Sequence, residues 1–307
     1  MSRNLPSDQL RDPLARRSFI ERCAKVSFGL SVLPFFNQLA AAADAAPGSA
    51  PNAGLPGFGK AKRVIFIQLA GGMSHIDTFD PKEGGSKGPG ATISTKAGFQ
   101  LTDYLPETAK VAGRLAVIRN MTAKVGVHAS ASYLMRTGFE QRGTVQHPML
   151  GAWAQHFLGA SSKTLPSTVC VGRPSNHGNG WFPAAYSPLP ILSPNDGLQN
   201  IKGLADADTQ SRRLDLLAQL NGGFAGAPTD ENVKAYNEFY ESTFQLMKSK
   251  DLAAFDLTAE SAATKARFGT SKFGQGCLLA RRLVEHGVRF VEVSHGGWDM
   301  HATLDTR

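Results

Sequence analysis

Apolar residues gather along the chain in short runs separated by long glycine- and proline-rich stretches. Residues 63–69 (RVIFIQL) form a mostly apolar run of strand length, stopped by Gly71-Gly72. Such a run predicts a central strand buried on both faces. Residues 115–118 (LAVI), 167–171 (STVCV) and 288–293 (VRFVEV) predict three further strands. Helical patterns fall at 129–137, closed by Gly138, and at 208–220, where Leu214, Leu216, Leu217 and Leu220 lie near one face. They recur at 231–248, where Val233, Tyr236, Phe239, Tyr240, Phe244 and Met247 keep helical spacing, and at 271–286, closed by Gly287. Residues 82–100 read as loop, and 172–206 as a loop-rich insertion long enough to be functional. Strands alternating with helices predict an α/β fold, a largely parallel sheet with helices on both faces.

The first 46 residues stand outside that pattern. Arg16-Arg17-Ser18-Phe19-Ile20 is a twin-arginine pair with the apolar positions of a Tat signal. Residues 26–43 carry no charge but are only weakly apolar, and 40–46 (AAAADAA) supply small-residue cleavage sites. The expected organisation is a Tat signal peptide over 1–46, a linker over 47–62 and an α/β domain over 63–307. Export by the Tat translocase to the periplasm or beyond follows, with a membrane tie only through an uncleaved signal. The formal charge of +8 falls to about +6 once the six basic and four acidic residues of 1–46 are removed. No run of five basic residues occurs, so no nucleic-acid partner is expected. An exported protein permits a Cys170–Cys277 bridge, and two buried thiols are an equal reading.

Ligands of parallel α/β sheets bind beyond the carboxyl ends of the strands. Two predicted strands end there in metal-type donors. Gly71–Asp80 carries His75 and Asp77; Ser294–His301 carries His295, Asp299 and His301. Carboxylate oxygens and neutral imidazoles are the usual ligands of zinc and related ions. A third segment, Val127–Gly138, carries His128, Ser130 and Ser132 where a helix begins. Free N–H groups and the helix dipole make that a place for an oxyanion, while Ser130 or Ser132 as a plain N-cap is the structural reading. His147, His156 and Trp153 read as structural, as does the 236–244 aromatic stripe, and His177 and Trp181 as residues of the insertion.

The stretches GGMSHIDTFDPK (71–82), HASASYLMRTG (128–138), FGQGCLLARRLVEHGVRFVEV (273–293) and GGWDMH (296–301) carry a resemblance. The chain resembles the Tat-exported domain of unknown function family 1501, of the alkaline-phosphatase-like (sulfatase-like) superfamily. The resemblance implies that Asp77 is a metal ligand at the end of the first strand. It implies that Asp299 and His301 resemble the later Asp and His ligands, although their spacing departs from Asp-x-x-x-His. Counted back from Thr137-Gly138, His128 falls at the nucleophile's place and Ser132 where sulfatases have Arg, which argues against a formylglycine sulfatase. Either Ser130 or Ser132 attacks, or a metal-bound water does, or the site is not an esterase.

The resulting expectation is an exported hydrolase-like protein for phosphate or sulfate esters, of small molecules or polysaccharides. It would use a divalent ion (Zn, Mn or Ca) at Asp77, Asp299 and His301, with His75 and His295 nearby. The alternative is a non-catalytic exported binding protein with a degenerate site. The superfamily's remaining ligands usually lie further along, so an incomplete C-terminal part is expected as well.

Overall fold

The computed structural model describes residues 59–172, 178–198 and 242–302, with isolated positions at 208–209, 212–213, 215–216, 219 and 304. The expected signal, most of the linker, His177, and much of the 208–220 and 231–248 helices lie outside the described residues. Lys62–Arg307 forms one compact unit.

Its centre is a four-stranded, all-parallel sheet in the order β1 (Val64–Leu69), β6 (Phe290–His295), β4 (Thr168–Val171), β5 (Leu189–Ile191). The α/β expectation is met. A separate antiparallel hairpin joins β2 (Thr92–Ser94) to β3 (Gln100–Thr102). The helices are α1 (Pro106–Lys110), α2 (His128–Thr137), α3 (Leu150–Leu158), α4 (Ala262–Phe268) and α5 (Lys272–Glu285).

Helix α5 shows why the sheet is stable. Ser271 caps it by accepting from the Gly274 N–H at 3.0 Å, a contact worth about 1 kcal/mol. Leu278, Leu279 and Leu283, at i, i+1 and i+5, are fully buried against Val169, Val171, Val291 and Val293. Each buried leucine contributes roughly 1.5–3 kcal/mol. Gly276 brings the helix close: a Cβ there would already lie 3.3 Å from a Val293 methyl. On the opposite face α3 presses Gly151 onto Thr168 and Phe290, and the Thr168 hydroxyl donates to the Gly151 carbonyl.

Five expectations change. Residues 115–118 are not a strand; Leu115 and Ile118 are exposed and no neighbouring strand pairs with them. β1 is the end strand among the described residues, so Val64, Ile65 and Ile67 are 40–46% exposed rather than buried on both faces. The fourth strand runs to His295, because Ser294 and His295 pair in register with Gln68 and Leu69. The 172–206 insertion supplies β5, whose Pro190 is tolerated at a sheet edge. The 82–100 loop contains β2. Cys170 and Cys277 are free thiols. Among the described residues no helix is long and apolar enough to cross a membrane.

Candidate functional site

The carboxyl tips of β1 and β6 are clasped together. The Ala70 N–H donates to the His295 carbonyl at 2.8 Å, and the Trp298 N–H donates back to the Ala70 carbonyl at 3.2 Å. Gly71 lies directly on the next residue: a Cβ there would sit 2.5 Å from the Asp299 nitrogen, and its φ is +110°. Only glycine meets both conditions without strain.

This clasp sets Asp299 between two imidazoles. His128 Nε2 lies 3.0 Å from Asp299 Oδ2, and His301 Nε2 lies 2.7 Å from Oδ1. His128 comes from a distant part of the chain and is the first residue of α2. The helix is capped by Val127 without any side-chain bond, so neither Ser130 nor Ser132 is its N-cap. The first intrahelical bond runs from Ala131 to the Val127 carbonyl. The N–H groups of His128, Ala129 and Ser130 therefore have no partner within the helix. Gly138, at φ +79°, ends it in the left-handed cap that the sequence predicts.

Asp77 sits in its own loop. It is 8% exposed, and the Ser74 hydroxyl donates to its Oδ2 at 2.6 Å. Its other oxygen, Oδ1, is buried with no hydrogen-bond partner. Gly88 leaves that oxygen its room, since a Cβ at 88 would fall 2.1 Å from it. Thr102 of β3 donates its hydroxyl to the Asp77 carbonyl, which ties the hairpin to the loop. Among the described contacts Asp77 does not touch His128, Asp299 or His301. His75 is exposed, its carbonyl accepting from Thr78 and Asp80. His295 turns to the α5 side, stacked on Phe273 with ring centroids 4.3 Å apart. Nearby, the Lys82 ammonium holds the Asp80 carboxyl below the usual carboxylate range.

Beneath α2 lies a pair that the motifs do not single out. Arg136, 8% exposed, places Nη2 2.7 Å from Oε1 of Glu292, which is 2% exposed on β6. The same guanidinium donates to the hydroxyls of Ser132 and Ser294, each at 3.4 Å. Burial raises the Glu292 carboxyl, while the Arg136 charge and hydrogen bond pull it down. Burial, aided by the Glu292 charge, pushes the adjacent Cys170 thiol up to about 12. A glutamate inside an apolar strand is itself a signal, because a buried charge requires a partner. An arginine four residues after Ser132 on one helix face is where that partner could be sought.

The other singled-out aromatic and histidine side chains pack against one another. His147 Nδ1 lies 2.6 Å from the Tyr133 hydroxyl and stacks on Phe139. His156 stacks on Phe182, and Trp153 on Phe157. Trp181 joins this ring cluster beside His147 and Trp153.

The donor set of Asp299, His128 and His301 has the chemistry of a zinc or manganese site. Among the described residues, no three carboxylate, imidazole or thiolate side chains are gathered so as to enclose an ion. No curated protein and no solved structure matches the chain. Residues 61–307 match the family model described as "Protein of unknown function (DUF1501)", and the chain belongs to that family.

Proposed function

We propose that the protein is an exported, metal-dependent hydrolase of phosphate or sulfate esters, built on an alkaline-phosphatase-like plan and carried out by the Tat route. One observation supports it most. His128, Asp299 and His301 converge at the carboxyl tips of adjacent parallel strands, beside the free N–H groups of a ten-residue helix.

The donor types suit a divalent ion, around which the side chains would have to close, since no three of them enclose a site among the described residues. His128, Asp299 and His301 would hold it. Asp77, with a buried carboxylate oxygen that no protein donor satisfies, is a further ligand candidate, and His75 lies in the same loop. When bound, the ion would polarise the ester oxygen and ease deprotonation of the attacking hydroxyl or water. The chain's own part is to bind and orient. The N–H groups of His128, Ala129 and Ser130 receive an anionic phosphoryl or sulfuryl oxygen. Ser132 is held by Arg136, which leaves Ser130 as the better placed hydroxyl on α2.

A non-catalytic binding protein is the second reading, favoured by His128 standing at the nucleophile's place and being tied to Asp299. The test is metal content of the full chain by mass spectrometry, with turnover of p-nitrophenyl phosphate and sulfate. Bound Zn, Mn or Ca that Asp299→Asn removes is expected, with turnover lost. A metal-free wild-type chain refutes the hydrolase. Metal and turnover unaltered by both Asp299→Asn and Asp77→Asn refute the site. Metal without turnover selects the binding protein.

A further inference from the structure

At the opposite end of the sheet, where β4 and β5 begin, lies a cavity of about 1120 Å³. It exceeds the roughly 300–1,000 Å³ of most small-molecule pockets, which gives room for a chain of several rings. Its lining includes Trp181 and Phe182 together with Gln155, Ser162, Lys163 and Asn179.

The indole of Trp181 is 51% exposed yet firmly braced. Trp153 meets it edge-on at 6.0 Å, His147 at 5.1 Å, Phe139 at 6.5 Å and Phe182 at 6.2 Å. Edge-to-face packing of this kind fixes a ring's orientation. A half-exposed indole lining the cavity and held by four neighbouring rings is a pre-positioned stacking surface.

The polar groups are fixed too. Asn179 receives the Ser187 hydroxyl at 2.8 Å and donates to the Phe182 carbonyl. Gln155 donates to the Ala185 carbonyl at 3.1 Å. Each amide keeps a second N–H, whereas Ser162 is already engaged, receiving the Thr164 and Leu165 N–H groups. The Lys163 ammonium meets no carboxylate among the described residues. A lipid tail would waste these donors, whereas a pyranose uses both kinds of surface. Its axial C–H face stacks on indole, and its equatorial hydroxyls meet the amides and the ammonium.

We infer that this cavity is a carbohydrate-binding site, with Trp181 as the stacking platform for an oligosaccharide. The inference is independent of the hydrolase reading, and its test involves no turnover.

Full-length protein is run in native gels containing laminarin, xylan, dextran or hydroxyethyl cellulose, and binding to any retarding polymer is quantified by titration calorimetry. At least one polymer is expected to retard it. Trp181→Ala should weaken that binding at least tenfold and Lys163→Ala about threefold, while Trp181→Phe keeps most of it. Phe157→Ala, exposed outside the cavity, should leave it unchanged. Far-UV circular dichroism checks that each variant folds; if Trp181→Ala does not, Trp181→Phe and Lys163→Ala decide. No retardation in any of the four gels overturns the inference. So does unchanged binding in the Trp181 and Lys163 variants, an equal loss in Phe157→Ala, or partition onto phosphatidylcholine vesicles with no polysaccharide binding.

Discussion

Replacing Arg136 by Met tests the layer that seats α2 on the sheet. The change keeps most of the side-chain volume and removes the charge. Glu292 is then left 2% exposed with no cation at 2.7 Å. Breaking one half of a buried ion pair costs roughly 3–5 kcal/mol, because the other charge stays desolvated. That is a large share of the 5–15 kcal/mol that holds an ordinary domain together. The cost depends on pH, and its sign is fixed. Burial raises the Glu292 carboxyl above its unfolded value, and Arg136 works against that rise. A carboxyl raised in the fold favours folding fully below its unfolded pKa, about 4.3, and loses that benefit as pH climbs through the folded value. Without Arg136 the folded value climbs further, so Arg136→Met should hurt more near pH 8 than near pH 5, because the orphaned carboxyl is easier to neutralise at the lower pH. Cys170, pushed to about 12, stays neutral across the range. Urea unfolding followed by circular dichroism at both pH values gives the numbers. Arg136→Met combined with Glu292→Leu should recover most of the loss, since no orphan charge remains. A cost under about 1 kcal/mol at pH 8, or one equal at both pH values, refutes the buried pair.

Three further outcomes can be measured. Gly71→Ala forces a Cβ onto the Asp299 nitrogen at φ +110° and should cost at least about 1–3 kcal/mol in a thermal melt. A wild-type melting temperature in that variant would remove the clasp. At pH 8 the Cys170 thiol is ionised to only about one part in ten thousand. Peptide mapping after brief treatment with a maleimide should find Cys170 unlabelled in the folded protein and labelled in urea; rapid labelling without urea contradicts its burial. Changing Arg16 and Arg17 to Lys should leave the protein in the cytoplasm, read by fractionation, and unaltered export would exclude the Tat route.

Much of the frame is legible in the residues because its signals are local. The runs at 64–69 and 168–171, the left-handed Gly138 and the Ser271-to-Gly287 helix each carry their own punctuation. What escapes is whatever depends on a partner. Leu115–Ile118 has strand composition but no neighbour to pair with, and strand formation is a property of the pair. Ser294 and His295 look like loop residues, yet the ladder continues because Gln68 and Leu69 stand opposite. Leu189–Ile191 contains a proline and joins the sheet only as an edge. The candidate site divides in the same way. Asp299 and His301 sit two positions apart and are visible at once, whereas the seating of His128 against them depends on how α2 lies over β6. Glu292 and Arg136 lie 156 positions apart; a glutamate in an apolar strand signals the need for a partner but does not name it.

The pairing of β1 with β6 has a consequence for how the protein is made. Val64 faces Phe290, so these two paired strands are separated by most of the chain. A ribosome delivers β1 first, and for more than 200 residues its apolar edge has no mate. Closing so long a loop is entropically slow, and contacts of such high sequence separation form late. The sheet therefore forms only after residues 290–295 have been made, and until then Val64, Ile65 and Ile67 are open to aggregation. Chaperone dependence, and a folding half-time set by the arrival of residues 290–295 rather than by any local helix, are the traits to look for in its biogenesis.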